Sequence, residues 1–328
     1  MAVNKLFKGG EDQLSSQVDE LIQQQVTDWD LALKNYYGLK TIRSKTLQFD
    51  GFQVKAQFNP ERIRSSAAKT DAKSIQQRAC FLCERNRPEE QKKLLFKNRY
   101  SILINPFPIF DKHLTIPLNE HQPQEIEPYF ADMLHLSKQL PRFTIFYNGP
   151  QCGASAPDHF HFQAGSKNQM PVDEEIKMLK HQGGETLFQN DHTTISAIGN
   201  QYLRKLIGLQ SNSVTDLISH FKQVLSFLNE RGQAGEPMLN LLATFENGFW
   251  QLMLFPRDRQ RPSQFFETGD RQLLISPASV EMGGLIILPR EEDFEKLTKS
   301  DLIDIYKQVT INDQDFEVLK NKLRTIEI

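Results

Sequence analysis

The chain has 328 residues, with 39 Lys and Arg against 41 Asp and Glu, a net charge of −2. That length suits one large domain or two of ordinary size, and 39% apolar residues can build a substantial core. The near-neutral balance lacks the basic footprint of a protein that grips long nucleic acid, and no run approaches the roughly 18 apolar residues of a membrane span. The first residues, MAVNKLFKGGEDQLSS, contain no apolar stretch like that of a signal peptide, so a cytoplasmic protein is expected. Cys80, Cys83 and Cys152 are too few, and odd in number, for a disulfide scaffold.

Along the chain, residues 11–38 repeat apolar positions at helical spacing, from Leu14 and Val18 to Leu33. Residues 46–58 alternate Leu47, Phe49, Phe52, Val54 and Phe58, a strand pattern. The segment 59–79 is polar and basic and reads as a loop with room for a short helix. Residues 99–104 (RYSILI) are β-prone, the turn-rich NPFPIFDKH follows, and LTIP forms a second run. Helical spacing returns over 122–140, a strand over 143–148, a Gly/Pro/Ser loop over 149–157 and a strand over 159–164 (HFHFQA). A helix is predicted over 214–230, with Leu217, Phe221, Val224 and Leu228 on one face. Strands are expected over 238–255 and near 284–288, and a helical segment over 298–325.

A weak internal repeat is visible. NRYSILINPFP, from Asn98, and NGFWQLMLFPR, from Asn247, both read as turn, aromatic, strand, Phe-Pro. Each is followed by a strand-like run, KHLTIP (112–117) and GGLIILP (283–289). The position near His113 is Gly284 in the second copy, and no His follows His220. If a duplication is present, only its first half kept histidines.

The stretch most informative about chemistry is NGPQCGASAPDHFHFQAG, Asn148–Gly165. In a strand, residues two apart share a face, so His159, His161 and Gln163 project together while Phe160 and Phe162 point to a core. The preceding Gly149, Gly153, Ala154 and Ser155 are small enough for their backbone N–H groups to approach and cradle phosphate oxygens. An imidazole facing such a loop can attack phosphorus, which splits one hard displacement into two easier ones. Gln163 can hold a nonbridging oxygen of the intermediate. The plainer alternative is a pair of structural strand histidines beside an ordinary turn.

This motif resembles the His-φ-His-φ-Gln signature of the galactose-1-phosphate uridylyltransferase, GDP-hexose phosphorylase and dinucleoside-polyphosphate phosphorylase branch of the histidine-triad superfamily. NPFPIFDKHLTIPLNEH is similar to that superfamily's first strand pair, and SPASVEMGGLIILPREEDFE to the second half of GDP-hexose phosphorylases, as are QFNPERIRSSAAK and the Trp29-centred helix. The resemblance implies an α+β fold of two fused antiparallel-sheet units with flanking helices, divided here as residues 1–200 and 201–328. It implies a catalytic set of His161, Gln163 and His159, with His161 as the nucleophile that carries a nucleoside monophosphate. Asn148, Gly149, Gly153 and Ser155 are the expected phosphate-loop contacts.

Cys80-Phe-Leu-Cys83 spaces two thiols to grip one tetrahedral metal ion, but two more ligands are needed. Zinc-binding uridylyltransferases use a Cys-x-x-Cys pair, a later His and the first His of the motif, and the resemblance assigns these roles to Cys80, Cys83, His113 and His159. Merely buried or free cysteines are the main alternative; a redox pair lacks its βαβ context. Cys152 reads as a small loop residue and His121 as structural. The basic candidates for phosphate are Arg62, Arg64 and Lys69, then Lys167, then Arg257, Arg259 and Arg261, since Arg donates to phosphate with a planar fork. Taken singly, each reads first as a solvated surface charge; Arg64, Lys167 and Arg257 are favoured as a group.

The expected function is a nucleotidyltransferase or phosphorylase acting on a nucleoside-diphosphate sugar, with GDP-hexose as the leading donor and inorganic phosphate or a sugar phosphate as acceptor. A hexose-1-phosphate uridylyltransferase, a dinucleoside-polyphosphate phosphorylase and an inert nucleotide-binding protein are the alternatives. Zinc is the expected structural metal, and neither long nucleic acid nor a membrane is an expected partner.

Overall fold

The N-terminal helical pattern forms two helices, Gln13–Asp28 and Asp30–Gly38, broken where Trp29 turns extended (φ −123°, ψ 106°). This computed structural model describes residues 13–63, 72–232 and 235–326. Strands β1 (Arg43–Gln48) and β2 (Gln53–Phe58) then pair as a hairpin. Gly51, at φ +77°, supplies the left-handed turn conformation between them.

Ten further strands make one antiparallel sheet. They are β3 (Leu94–Phe96), β4 (Tyr100–Ile104), β5 (His113–Pro117), β6 (Phe143–Asn148), β7 (His161–Ser166), β8 (Glu185–Gln189), β9 (Thr193–Ile198), β10 (Leu206–Ser211), β11 (Leu239–Glu246) and β12 (Phe249–Pro256). Their order is β3-β4-β5-β7-β6-β11-β12-β10-β9-β8. Read inward from its two edges, the sheet repeats itself: 3-4-5-7-6 meets 8-9-10-12-11. A helix fills the same place in each half, Phe130–Gln139 between β5 and β6, and Val214–Asn229 between β10 and β11. Ser213 caps the second of these, its side chain accepting from the Asp216 N–H at 3.2 Å.

The repeat is therefore present in the topology, but in a different register from the sequence pattern. That pattern paired β4 with β12 and β5 with residues 283–289. The strand order makes β4 equivalent to β9 and β5 to β10. The GGLIILP run forms β13 (Leu285–Leu288), which leaves the large sheet and pairs parallel with β2. A division at residues 200 and 201 falls between β9 and β10, which pair along their whole length, so the sheet has no seam there.

The two faces of the sheet are covered differently. One packs Leu136, Phe162, Phe221, Leu241 and Leu252 beneath the helices Gln13–Asp28, Phe130–Gln139, Val214–Asn229 and Asp313–Arg324. The other packs Phe146, Leu242, Met253 and Phe255 against β2, β13 and the helix Lys299–Val309. Asn247 and Gly248, at φ 53° and 84°, form the two-residue turn that joins β11 to β12.

One half-buried carboxyl lies next to the loop that follows β6. Glu236 accepts from the Tyr147 hydroxyl at 2.6 Å and from the Ile126 N–H. Burial, reinforced by Glu125 and Glu127, raises its pKa from 4.5 to about 7. Between these values the unfolded chain has lost the proton that the folded chain keeps, so unfolding releases it and stability falls as pH rises. The fall is about 3 kcal/mol across that window. Glu236→Gln is expected to remove this component, making urea unfolding midpoints at pH 5 and pH 7.5 more nearly equal than in the unsubstituted protein.

Candidate active site and metal centre

The face of β7 away from Phe160 and Phe162 looks into a cavity of about 620 Å³. Its floor is Thr115 of β5, Phe146 and Asn148 of β6, and His161 and Gln163 of β7. Trp29, Phe81, Phe107, Ile109 and Ile287 are its apolar lining, and Ala278, Val280 and Glu281 also line it. Of the three residues expected to project together from HFHFQA, His161 and Gln163 line the cavity, whereas His159 precedes the strand and turns its ring to Cys80, Cys83 and the Leu118 carbonyl.

Hydrogen bonds fix the state of three histidines. His161 Nδ1 lies 2.9 Å from the His159 carbonyl, which can only accept, so Nδ1 carries the proton. Nε2 is left with a lone pair on a residue that lines the cavity. Burial lowers the His161 pKa to about 4, so the imidazole is neutral near pH 7. In His113, Nδ1 accepts from the Ile109 N–H at 3.1 Å, so Nε2 must donate to Gln163 Oε1, also at 3.1 Å. That bond makes the Gln163 amide nitrogen the donor end, which has no hydrogen-bond partner among the described residues. In His159, Nε2 donates to the Leu118 carbonyl at 2.8 Å and Nδ1 points to the thiols.

The backbone of His161 is itself clamped. Gln124 Oε1 accepts from the His161 N–H at 2.8 Å, while Gln124 Nε2 donates to the carbonyls of His161 at 3.0 Å and Asn148 at 3.1 Å. Gln124 was not foreseen; a lone glutamine in a polar loop carries no pattern. Among the described residues nothing accepts from the backbone N–H groups of Gly153, Ala154 or Ser155, and all three residues line the cavity. Gly153 holds φ +97°, and a Cβ there would sit 2.4 Å from that of Ala278.

Several expected contacts take other roles. The Gly149 N–H bonds the Leu239 carbonyl at 3.2 Å, and a Cβ there would meet that oxygen at 2.8 Å; the glycine permits strand approach and does not face the cavity. Lys167 is paired with Glu246 at 3.3 Å, away from the cavity. Arg257 is fully buried and all five of its N–H donors are used, on Val309, Asn240, Pro277, Arg259 and Gln260. None is left for phosphate. Arg64 and Lys69 lie outside the described residues. Arg62, Arg78 and Arg261 do line the cavity. Arg62 Nη1 donates to the Phe107 carbonyl at 2.7 Å, while its buried Nε has no hydrogen-bond partner among the described residues. Burial lowers its pKa to about 10, which keeps it cationic at neutral pH.

The metal set needs one correction. Ligand atoms of Cys80, Cys83, His121 and His159 all lie within 4.8 Å of one another. His113 is not among them, because both its ring nitrogens are engaged by Ile109 and Gln163. Cys80 Sγ to His159 Nδ1 is 3.2 Å, Cys83 Sγ to His121 Nδ1 is 3.2 Å, and Cys83 Sγ to His159 Nδ1 is 3.5 Å. Tetrahedral zinc separates neighbouring sulfur and nitrogen ligands by about 3.5 Å, close to the three sulfur–nitrogen distances here, so the donor set suits that ion. Asp158 supports it from outside, 3.6 Å from His121 Nε2 and 3.0 Å from Arg78.

Elemental analysis of purified protein tests this set. One zinc per chain is expected, lost on Cys80→Ser, Cys83→Ser or His121→Ala and retained on His113→Gln. Retention by His121→Ala with loss in His113→Gln would restore the ligand assignment read from sequence.

Comparison with known proteins bears on this geometry. Residues 21–166 match the family described as Domain of unknown function (DUF4922), and residues 177–326 match GDPGP1-like, C-terminal domain. A galactose-1-phosphate uridylyltransferase of Clostridium acetobutylicum is 23% identical, with 76% of this chain and 56% of that protein covered. The chain thus spans a little over half the length of that curated relative. Yeast Ap4A phosphorylase Apa2 in complex with AMP shares the fold at a TM-score of 0.56 and 18% identity, covering 90% of this chain and 96% of that one. The same yeast protein in complex with Ap4A superposes at 0.52 with 16% identity, over 90% and 97% of the two chains. The chain is thus similar in sequence to GDPGP1-like proteins over its C-terminal part and to a galactose-1-phosphate uridylyltransferase, and shares its fold with a dinucleoside-polyphosphate phosphorylase.

Proposed function

We propose that the protein is a nucleotidyltransferase of phosphorylase type, which moves a nucleoside monophosphate from a nucleoside-diphosphate sugar, with GDP-hexose as the leading donor, to inorganic phosphate or a sugar phosphate. The observation that carries this reading is the lone pair on His161 Nε2, directed by the bond at Nδ1 into a cavity beside free backbone N–H groups.

In the first step His161 Nε2 attacks the α-phosphorus. A P–N bond forms, the P–O bond to the sugar phosphate breaks, and its electron pair leaves on that oxygen. The proton on Nδ1 stays on its bond to the His159 carbonyl, which stabilises the charged imidazole. The N–H groups of residues 153–155 and the Gln163 amide nitrogen donate to the nonbridging oxygens as charge spreads over them. An oxygen of the acceptor phosphate then attacks the same phosphorus, the P–N bond breaks, and neutral His161 returns. The Gly-loop carbonyl of Ser155 is tied by Arg78 at 3.2 Å, which keeps the cradle in shape between steps. Zinc at Cys80, Cys83, His121 and His159 would be structural, fixing the strand entry that presents His161.

The GDP-hexose preference rests on the C-terminal match to the GDPGP1-like family. A dinucleoside-polyphosphate substrate is the second reading, favoured by the shared fold of the yeast Ap4A phosphorylase.

Intact-mass measurement after incubation with GDP-glucose, UDP-glucose or diadenosine tetraphosphate, without acceptor, tests the reading. One added nucleoside monophosphate, acid-labile, base-stable and missing in His161→Gly, is expected, and its mass names the base. An adduct that persists in His161→Gly would remove this nucleophile, and a folded protein that takes no adduct from any donor would contradict the transfer reaction.

A further inference from the structure

Asn148 ends β6 and lines the cavity beside His161. Its side-chain oxygen accepts from Asn240 Nδ2 at 3.0 Å and from the Ser279 N–H at 2.8 Å. Two donors on one oxygen leave no ambiguity about which way the amide faces. Nδ2 is then the remaining polar atom of that side chain, and among the described residues it has no hydrogen-bond partner.

Asn240 is fully buried on β11, directly opposite Asn148 in the strand register, and it does not reach the cavity. Its own amide is oriented in turn. Nδ2 donates to Asn148 and, at 2.8 Å, to the carbonyl of Cys152 in the phosphate loop, while Oδ1 accepts from Arg257 Nη1. Arg257 also donates to the Pro277 carbonyl at 3.0 Å, next to the segment that brings Ser279 to Asn148. Ser279 Oγ donates to the Tyr147 carbonyl at 2.7 Å and locks that segment on β6. Donor and acceptor thus alternate without a break from Arg257 through Asn240 to Asn148.

We infer that Arg257 and Asn240 are positioning residues that act through Asn148. They hold its amide so that a donor, never an acceptor, faces the phosphate, and they tie the loop at Cys152 to the same relay. This inference rests on the reading of the cavity as a phosphate site. A flipped Asn148 would present an oxygen to an anion; a correctly held one adds a charge-assisted hydrogen bond, worth roughly 10- to 100-fold in binding. The relay also explains why the second half of the chain, which has no His after His220, matters to a site on the first half.

Asn240→Asp is the discriminating variant. Its carboxylate still accepts from Arg257, but it can no longer donate to Asn148 or Cys152, so the Asn148 amide is driven to turn its nitrogen inward. Pyrophosphate binding, followed by calorimetry, needs no turnover and serves as the probe. In protein that remains folded at the assay temperature by circular dichroism, Asn240→Asp is expected to weaken it at least about tenfold, and to have no further effect in an Asn148→Ala background. In the unsubstituted protein the Asn148 side-chain NH₂ resonances, assigned by their loss in Asn148→Ala, are expected to shift when pyrophosphate binds, a result that does not depend on any Asn240 variant folding. Equal weakening in both backgrounds, unchanged binding, unshifted resonances, or absence of pyrophosphate binding would each overturn the relay. Protein that binds pyrophosphate with this pattern but takes no nucleotidyl group would sink the transfer reaction and leave the relay standing.

Discussion

The hydrogen bond from His161 Nδ1 to the carbonyl two residues earlier decides which nitrogen meets the cavity, and much of the site depends on it. It needs His159 held in place, and His159 is held twice: Nε2 by the Leu118 carbonyl, Nδ1 among the thiols of Cys80 and Cys83. One residue thereby belongs to the candidate metal centre through its side chain and to the proposed nucleophile through its backbone. A metal with no place in the chemistry can still govern it, because release of His159 would free the carbonyl that sets the tautomer of His161.

Orientation by alternating donors recurs throughout the cavity. Gln163 is turned by His113, Asn148 by Asn240 and Ser279, and the backbone of His161 by Gln124. Buried polar groups are expensive unless satisfied, and here their satisfaction also fixes direction. The result is a concave surface rich in N–H donors and holding one basic nitrogen, which suits a phosphate under nucleophilic attack.

The most local parts of this arrangement were legible in the sequence. Alternation in HFHFQA placed His161 and Gln163 on one face because a strand has a period of two, whatever surrounds it. The helix at 214–229 and the Asn247-Gly248 turn were equally local. Ligand choice between His113 and His121 was not, since it depends on where β5 ends and the chain turns back towards Cys83. Arg257 in PRDRQRP looks like surface charge; only packing buries it under Asn240. Strands β8 and β9 are hard to read because ETLFQ and TTISAI carry little apolar contrast, and without them the true register of the repeat is hidden.

The central claim is that phosphorus changes partners twice on this protein, once onto His161 and once off it. Phosphorus stereochemistry tests that most directly. A nucleoside-diphosphate sugar bearing sulfur on the α-phosphorus in one configuration is converted with acceptor phosphate, and the product's configuration is determined. Each in-line displacement inverts the centre, so two steps through His161 predict overall retention. Overall inversion would mean a single direct transfer from donor to acceptor, with no bond to His161, and would contradict the account.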